Sequence, residues 1–359
     1  MLCEIGSTFW NYSLDLPERK EKFWWENADY NHCFLKSGRN AMKALARILA
    51  KKKRILLPVY TCETVIQPFV DENWEIDYYN VHKNLRINID SLLQKVNDFF
   101  PTVVLFHSYF GFDTIGADET VIEQLQKRGI IIIEDITQSL FSNHHLKCAD
   151  YYVSSLRKFL AIPDGGVVFS KKKFLLEDIL PSDKKIVALA KTAFDQKRDY
   201  MMEGNNLALK DLFRCNYNKL NEMISMNSNV QMISPESKII FDSCDLHEIR
   251  KKRVTNYIRL MKGIQDIKYI RPVLSFLPQE EAPLYLPIYV EGNRLNLQAH
   301  LAENGIYCPV IWPKPSQIES EDSEVRFMYE HMLCIPVDQR YGDEEMNRIL
   351  SMLEYEKKG

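Results

Sequence analysis

The stretch Ile131-Ile132-Ile133-Glu134-Asp135-Ile136-Thr137-Gln138 decides how the rest of this sequence is interpreted. A β-branched run of strand length is typical of a strand that is buried on both faces, as in a parallel sheet. Asp135 then lies at the carboxyl end of that strand, where sheets of this kind collect their ligands. A carboxylate at this position either caps the strand end or pairs with a cationic ring nitrogen, which would keep the carboxylate ionised.

Strand-like and helix-like segments alternate on both sides of this run, between residues 34 and 170. Short apolar runs bounded by Gly, Pro, Asp or Asn predict strands at residues 55–58, 74–81, 102–107, 130–136, 151–156 and 167–170. Helical patterns lie between several of them, at residues 40–50, 89–99 and 119–128. The alternation predicts an α/β fold in which helices cover a mainly parallel sheet.

The second half of the chain has a different pattern. Residues 174–232 are polar and mixed, and we interpret them as helices and loops. Ser234 is a candidate helix cap and Pro235 suits the first helical position. Together they predict the start of one long helix over 235–263. Beyond it, the patterns predict a small α+β part with a strand at 284–290, a helix at 294–303, a strand at 306–312 and a helix at 343–354. We therefore expect a large domain, 1–240, and a smaller C-terminal domain, 241–359.

Composition excludes several classes of function. The 359 residues are 46% apolar, which is enough for a buried core, and the formal net charge is −3. This charge predicts no general attraction to nucleic acid or to an anionic membrane. Because no stretch resembles a signal peptide or a membrane span, we expect a cytoplasmic protein.

The eight cysteines are scattered, without a CxxC pair. This spacing argues against a structural zinc site and a disulfide framework, and it fits a reducing compartment. His144-His145 has no third ligand at a sensible spacing, so we interpret it as part of a surface loop and expect no metal. Cys62 has no evident histidine nearby, which favours packing over a role as nucleophile.

Three further segments are candidates for chemistry. Ser37-Gly38-Arg39-Asn40-Ala41 comes just before a helix, where free backbone N–H groups suit a phosphate, although a capping serine gives the same pattern. Lys158 ends Ser154-Ser155-Leu156-Arg157-Lys158, between a buried-looking strand and the apolar run 159–163. Gly165-Gly166 supplies backbone freedom for a close approach to whatever Lys158 carries.

In their order and spacing, these segments resemble the DegT/DnrJ/EryC1/StrS family of sugar aminotransferases, which are fold type I pyridoxal-phosphate enzymes. Residues 37–41 resemble the family's Ser-Gly-Thr-x-Ala, and residues 58–62 its Pro-Ser-x-Thr-aromatic segment. Residues 107–111 resemble its His-x-Tyr-Gly turn, and residues 134–138 its Glu-Asp-Ala-Ala-Gln/His segment. Lys158 stands seven residues before Gly165, which is the family's spacing from the Schiff-base lysine to the Gly-Gly pair.

The resemblance implies a cofactor and a reaction. Lys158 would be the catalytic residue and would carry pyridoxal 5′-phosphate as a Schiff base, with Asp135 on the ring nitrogen and Gln138 near the ring hydroxyl. The phosphate would be held by Ser155, Ser37 and the backbone around Gly38. The implied reaction is the amination of a keto sugar, nucleotide-linked in our leading hypothesis, with an amino acid such as glutamate as donor. The implied assembly is a homodimer with its active site at the subunit interface.

The sequence departs from the family at four places. Arg39 replaces the threonine of Ser-Gly-Thr, and Cys62 replaces the aromatic residue, so one expected wall of the cofactor pocket is altered. The segment from Ser155 to Lys158 is two residues shorter than usual. The family's Asn-Tyr-Arg-Met-Ser, which reaches the neighbouring subunit's cofactor, is reduced to Asn229-Val230-Gln231-Met232.

These departures keep two alternatives open. The first is another pyridoxal-phosphate reaction on the same fold, such as that of a lyase, a desulfurase or a dehydrase. Family members that dehydrate sugars generally have histidine at the lysine position, so Lys158 counts against that route. The second alternative is a non-catalytic regulatory relative, which Arg39 and Cys62 favour and the joint presence of Asp135, Gln138 and Lys158 disfavours.

Overall fold

The structure of the protein is a computed structural model that describes residues 4–15, 17–19, 21–27, 29–49, 52–204, 206–226, 229–274, 281–320 and 322–354. In these ranges the strands are β1 (Asn31–Leu35), β2 (Arg54–Pro58), β3 (Glu75–Tyr79), β4 (Val103–His107), β5 (Ile131–Asp135), β6 (Tyr151–Ser155), β7 (Gly166–Ser170), β8 (Ile270–Pro272), β9 (Tyr285–Val290) and β10 (Met332–Pro336). The helices are α1 (Gly38–Ile48), α2 (Glu63–Asp71), α3 (Ile89–Phe99), α4 (Glu119–Lys127), α5 (Lys184–Glu203), α6 (Leu207–Met226), α7 (Pro235–Asp242), α8 (Leu246–Gly263), α9 (Arg294–Glu303), α10 (Ser323–His331) and α11 (Asp343–Leu353).

The described residues form two compact units. The first unit contains residues 8–49 and 150–245, and the second contains residues 4–7, 52–149 and 246–354. The division into domains 1–240 and 241–359 stays a prediction. Within the described ranges, no helix combines the length and the apolar character that crossing a bilayer requires.

Parallel pairing joins four strands of the second unit in the order β5-β4-β2-β3. All residues of β4 are buried, as expected for an apolar strand covered on both faces. In β5, Asp135 stands opposite His107 of β4, which places both side chains at the carboxyl end of the sheet. The same unit contains a separate antiparallel sheet, ordered β10-β9-β8.

Antiparallel pairing joins three strands of the first unit in the order β1-β7-β6. One face of these strands packs in an aromatic cluster, in which Phe169 stacks on Tyr152 at 4.9 Å and on Trp25 at 4.6 Å between ring centroids. Helices α5 and α6 share an apolar core of their own, which includes Phe194 and Phe213. The predicted fold class, an α/β sheet covered by helices with a smaller α+β part, is confirmed.

The long helix predicted over 235–263 is wrong, although its start at Ser234 and Pro235 is confirmed. The chain forms two helices, α7 and α8, separated by three residues that include Ser243. The backbone N–H and the hydroxyl of Ser243 both donate to the carbonyl of Ile239, at 3.1 and 2.7 Å. A short polar side chain that binds the backbone in this way competes with the helical ladder and ends the helix.

The strand predicted over 306–312 is also wrong. This segment contributes one isolated bridge, between Ile306 and Ile5. The carbonyl of Pro309 accepts a hydrogen bond from the N–H of Cys334 at 3.1 Å. A ladder cannot continue through Pro309, because proline has no N–H to donate.

Candidate functional site

Asp135 is a buried carboxylate with two partners in the second unit. Its Oδ1 accepts a hydrogen bond from the N–H of Thr137 at 2.9 Å, and its Oδ2 lies 3.2 Å from Nδ1 of His107. Nε2 of His107 lies 2.7 Å from the hydroxyl of Thr61. Because each carboxylate oxygen has two lone pairs, Asp135 can still accept a hydrogen bond from a cationic ligand at the strand end.

Thr61 is itself held by Tyr329, so the chain of contacts from Asp135 extends further. The hydroxyl of Tyr329 accepts from the N–H of Thr61 at 3.1 Å, and it lies 2.9 Å from the carbonyl of Val59. The arrangement fixes the imidazole of His107 from both of its ring nitrogens. A group that meets Asp135 therefore meets a carboxylate whose position is set before it binds.

Gln138 is buried, and its Oε1 accepts from the N–H of Phe110 at 2.8 Å. Phe110 has a φ of 55°, in the left-handed region that residues other than glycine rarely adopt. Gln138 thus stabilises the turn at 107–111 that follows β4. Its expected position near a ring hydroxyl stays a prediction.

Ser37 and Gly38 begin helix α1 in the first unit. The hydroxyl of Ser37 accepts from the N–H of Asn40 at 3.2 Å, so this serine is a helix cap. The first turn of α1 contains no acidic residue, which leaves the positive end of the helix dipole without a counter-charge of its own. A Cβ built on Gly38 would lie 3.1 Å from Cβ of Ser155, so the structure brings these two residues together.

Gly165 and Gly166 lie where two segments of backbone come close together. A Cβ built on Gly166 would lie 2.2 Å from the carbonyl carbon of Ser37 and 2.5 Å from the nitrogen of Gly38. The structure therefore shows a close approach of Gly166 to the start of α1, and the approach to a group on Lys158 stays a prediction. Gly165 has a φ of +144°, which favours glycine, and its N–H donates to the carbonyl of Lys36 at 2.6 Å.

Lys158 ends a short 3-10 helix, Leu156–Lys158, that follows β6. The strand before it and the apolar run after it are buried, as expected, but the side chain of Lys158 is exposed. The expectation that this lysine is desolvated is therefore not met by the chain alone. A ligand bound at this lysine would have to supply the desolvation that its role as a nucleophile requires.

The loop after Lys158 is fastened by Asp164, which is almost fully buried. Its carboxylate accepts from the N–H of Ser234 at 3.1 Å and from the hydroxyls of Ser234 and Ser237 at 2.6 and 2.5 Å. Asp164 therefore connects the loop that follows Lys158 to the start of α7. Gly165 and Gly166 follow Asp164 directly in the chain, at the end of this loop.

Arg39 and Arg157 both contact helix α6. Nη1 of Arg39 donates to the carbonyl of Ser225 at 3.1 Å, and Nη2 of Arg157 donates to Oδ1 of Asn221 at 3.0 Å. The residue that departs from the family pattern at position 39 thus has a structural partner. Both contacts hold the end of α6 beside the start of α1 and the segment of Lys158.

Two expected site residues have few features of a binding residue. Cys62 is the cap of α2, and its Sγ lies 2.7 Å from the hydroxyl of Thr64. Asn229 is exposed, three residues beyond the end of α6. Their assignment to the cofactor stays a prediction.

The sequence did not indicate the aromatic group that lies beside His107 in the structure. Trp312 lies 5.5 Å from His107 and 5.6 Å from Tyr60, measured between ring centroids. Tyr109 and Tyr329 complete the group around Tyr60, at 5.9 and 4.9 Å. No sequence signal reveals that these residues meet, because they come from segments that lie far apart in the chain.

His144 lies in the loop between β5 and β6, as expected, but its side chain is half-buried. Its side chain is 12% exposed, and its Nδ1 forms an ion pair with the buried carboxylate of Glu281. The described residues contain no group of three or more His, Cys, Asp or Glu side chains that could hold a metal ion. No disulfide joins the cysteines in these ranges.

No family model matches this chain, and no curated protein sequence matches it either. Solved structures do share its fold. Helicobacter pylori PseC, an aminotransferase involved in the biosynthesis of pseudoaminic acid, has a TM-score of 0.65 at 12% identity, over 90% of this chain and 85% of that chain. A DegT DnrJ EryC1 StrS aminotransferase from Brucella abortus has a TM-score of 0.61 at 15% identity, over 90% and 85% of the two chains.

A third similar structure is the sugar aminotransferase CalS13 from Micromonospora echinospora. Its TM-score is 0.62 at 12% identity, over 90% of this chain and 86% of that chain. The fold implied by the sequence resemblance is therefore confirmed. At these identities the comparisons establish the shared fold and leave the activity to be proposed.

Replacing Gly166 with alanine should destabilise the protein by about 3 kcal/mol or more, because the new Cβ would collide with rigid backbone. Urea unfolding of Gly166→Ala measures this loss. The control is Gly129→Ala: Gly129 has a φ of +87° but no atom within 4 Å of the built Cβ. This control should lose about 1 kcal/mol from backbone strain alone. Equal losses in the two variants would contradict the crowding at Gly166.

Glu134 should make the stability of the protein depend on pH. Burial raises its pKa to about 7, although hydrogen bonds from Ser108 and from the N–H of Leu146 oppose the rise. Since the folded pKa exceeds the unfolded one, this carboxyl group's contribution is fully present at acidic pH and is lost as pH rises through about 7.

Between about pH 5 and pH 8, the unfolding free energy of the wild type should fall by about 2–3 kcal/mol relative to Glu134→Gln. Urea unfolding across this range measures the difference. Glu303→Gln replaces an exposed glutamate and serves as the matched control, with no such divergence expected. A constant difference between wild type and Glu134→Gln would show that Glu134 does not titrate in this range.

Proposed function

We propose that this chain is an aminotransferase that uses pyridoxal 5′-phosphate to aminate a keto sugar, with an amino acid as the amino donor. The observation that carries the proposal is the arrangement of Asp135, a buried carboxylate fixed by His107 and Thr137 at the carboxyl end of a parallel strand. A carboxylate so placed stabilises a protonated ring nitrogen. The fold shared with sugar aminotransferases supports the same assignment.

The residues present fit this cofactor. Lys158 follows β6 on a short helical turn, and its amine would hold the aldehyde carbon covalently. Ser37, the N–H groups after Gly38 and the hydroxyl of Ser155 suit the phosphate, because the start of α1 carries no acid to repel it. Gln138 stands in the turn beside Asp135, and we assign it to the ring hydroxyl. Arg39, Cys62 and Asn229 complete the proposed set of cofactor contacts.

Each residue then has a defined part in the reaction. The cofactor, when bound, supplies an electron sink for the carbon that loses a proton. Asp135 keeps the proton on the ring nitrogen, and His107 keeps Asp135 oriented towards it. The amine of Lys158 would hold the cofactor and, once released from it, would serve as the general base and acid that moves the substrate's proton.

The keto sugar is proposed from the sequence resemblance and from the similar structures, of which PseC is an aminotransferase in pseudoaminic acid biosynthesis. We further propose that the sugar is nucleotide-linked, that glutamate is the donor and that the enzyme is cytoplasmic. The proposed partners are these small molecules and a second copy of the chain, without nucleic acid or membrane. The cofactor would belong mainly to the predicted domain 1–240.

Lys158→Ala should abolish the visible absorbance band that pyridoxal phosphate gives with the wild type, since no other amine would replace the covalent link. Lys173→Ala removes an exposed lysine elsewhere in the same unit and should keep the band. The wild-type band should bleach on addition of glutamate, as the cofactor takes up the amino group. Absorbance spectra measure the band and its bleaching. An assay of the 2-oxo acid formed from glutamate measures the transfer of the amino group.

Three outcomes would contradict the proposal in different ways. A band that persists in Lys158→Ala would assign the covalent link to another lysine. A band in the wild type that no amino acid bleaches would favour a different pyridoxal-phosphate reaction, such as elimination. No band at all would favour a non-catalytic relative on the same fold.

We propose that the active protein is a homodimer, because in the family that the sequence resembles the active site lies between two subunits. Sedimentation of the purified protein at micromolar concentration should give the mass of two chains, about twice 42 kDa. Activity should fall on dilution in parallel with the dimer. A monomer that retains full activity would contradict this proposal.

A further inference from the structure

Trp312 differs from the other aromatic residues around it. The rings of Tyr60, Tyr109 and Tyr329 are buried, and each hydroxyl makes a hydrogen bond to backbone. Trp312 is the partly exposed member of this group. Its half-buried indole lies beside His107, at 5.5 Å between ring centroids with an interplanar angle of 44°.

The backbone next to Trp312 is fixed. The carbonyl of Ile311 accepts a hydrogen bond from the hydroxyl of Tyr60, and the carbonyl of Pro309 accepts one from Cys334. Tyr60 lies directly after β2, the strand whose end also carries Thr61. The backbone beside the indole is thus held by Tyr60, which is the neighbour of Thr61, and Thr61 contacts His107.

A half-buried aromatic ring beside the histidine that pairs with a buried carboxylate suits a ligand with a flat ring and a cationic atom. At the same strand end, position 62 holds a cysteine whose Sγ contacts Thr64. No aromatic side chain at position 62 is available to line the site. Trp312 contacts the ring of Tyr60, two residues before Cys62, at 5.6 Å between ring centroids, and it is the half-buried aromatic ring of this group.

We propose that Trp312 packs against the pyridine ring of the cofactor that Asp135 holds, and that it takes the place of the aromatic wall missing at Cys62. This inference rests on the proposed function. It assigns a binding role to a residue that the motifs did not include. Trp312 would contribute to the affinity for the cofactor and to the rigid placement of its ring.

The test is a titration of the apoprotein with pyridoxal phosphate, followed by tryptophan fluorescence and by the visible absorbance band. Trp312→Ala should weaken binding about 3- to 10-fold, which is the range for loss of one aromatic stacking contact. Trp312→Phe retains a ring and should bind within about twofold of the wild type. In Trp312→Phe, the quenching of protein fluorescence by the cofactor should decrease, since the nearest indole is gone.

The matched control is Trp74→Phe, which removes a buried tryptophan that packs on Phe69 in the same unit. This variant should keep both the affinity and the quenching of the wild type. If Trp312→Ala has a lowered unfolding midpoint, the quenching measured in Trp312→Phe still decides the question. Unchanged quenching in Trp312→Phe, or unchanged affinity in a folded Trp312→Ala, would overturn the inference.

Failure of the proposed function gives a different result. If the wild type itself shows no band and no quenching, the cofactor assignment is overturned, whatever the variants do. If the wild type binds and the Trp312 variants bind equally well, the cofactor assignment stands and only the role of Trp312 is overturned.

Discussion

A carboxylate buried at the end of a parallel strand has to be paired, and the pairing of Asp135 organises the carboxyl ends of three strands. His107, at the end of β4, contacts Asp135 through Nδ1. Its Nε2 contacts the hydroxyl of Thr61, which follows β2. Tyr329 extends the chain of contacts to the backbone of Val59 and Thr61. Leaving a buried carboxylate without such partners would cost several kcal/mol, so this corner of the second unit has few alternative arrangements.

The first unit meets a constraint of another kind, since the backbone of Gly166 and that of Ser37-Gly38 approach too closely for any side chain between them. This contact sets the start of α1 against β7, while the N–H of Leu156 binds the carbonyl of Gly165 at 3.1 Å. These backbone contacts position the segment that carries Lys158, together with the side-chain contacts of Arg157 and Asp164. Each unit thus holds its candidate residues on rigid elements.

The sequence predicts well whatever depends on local pattern. The β-branched runs around Asp135 form the expected strands, and helices α3 and α9 have the predicted bounds. Features that depend on contacts between distant segments of the chain were not predicted. The indole of Trp312 meets His107 across more than two hundred residues of sequence, and the crowding at Gly166 comes from Ser37. Helices α5 and α6 share a core that neither segment's weak apolar pattern reveals alone.

The central claim is that Lys158 carries pyridoxal phosphate, and chemical trapping tests it most directly. The protein would be mixed with the cofactor, reduced with borohydride, digested and analysed by mass spectrometry to find which peptide gains the pyridoxyl phosphate mass. The label should appear on the peptide that contains Lys158, in a stoichiometric amount. A sample that is not treated with borohydride should carry no label. A label spread over exposed lysines such as Lys173, or no label on the Lys158 peptide, would contradict it.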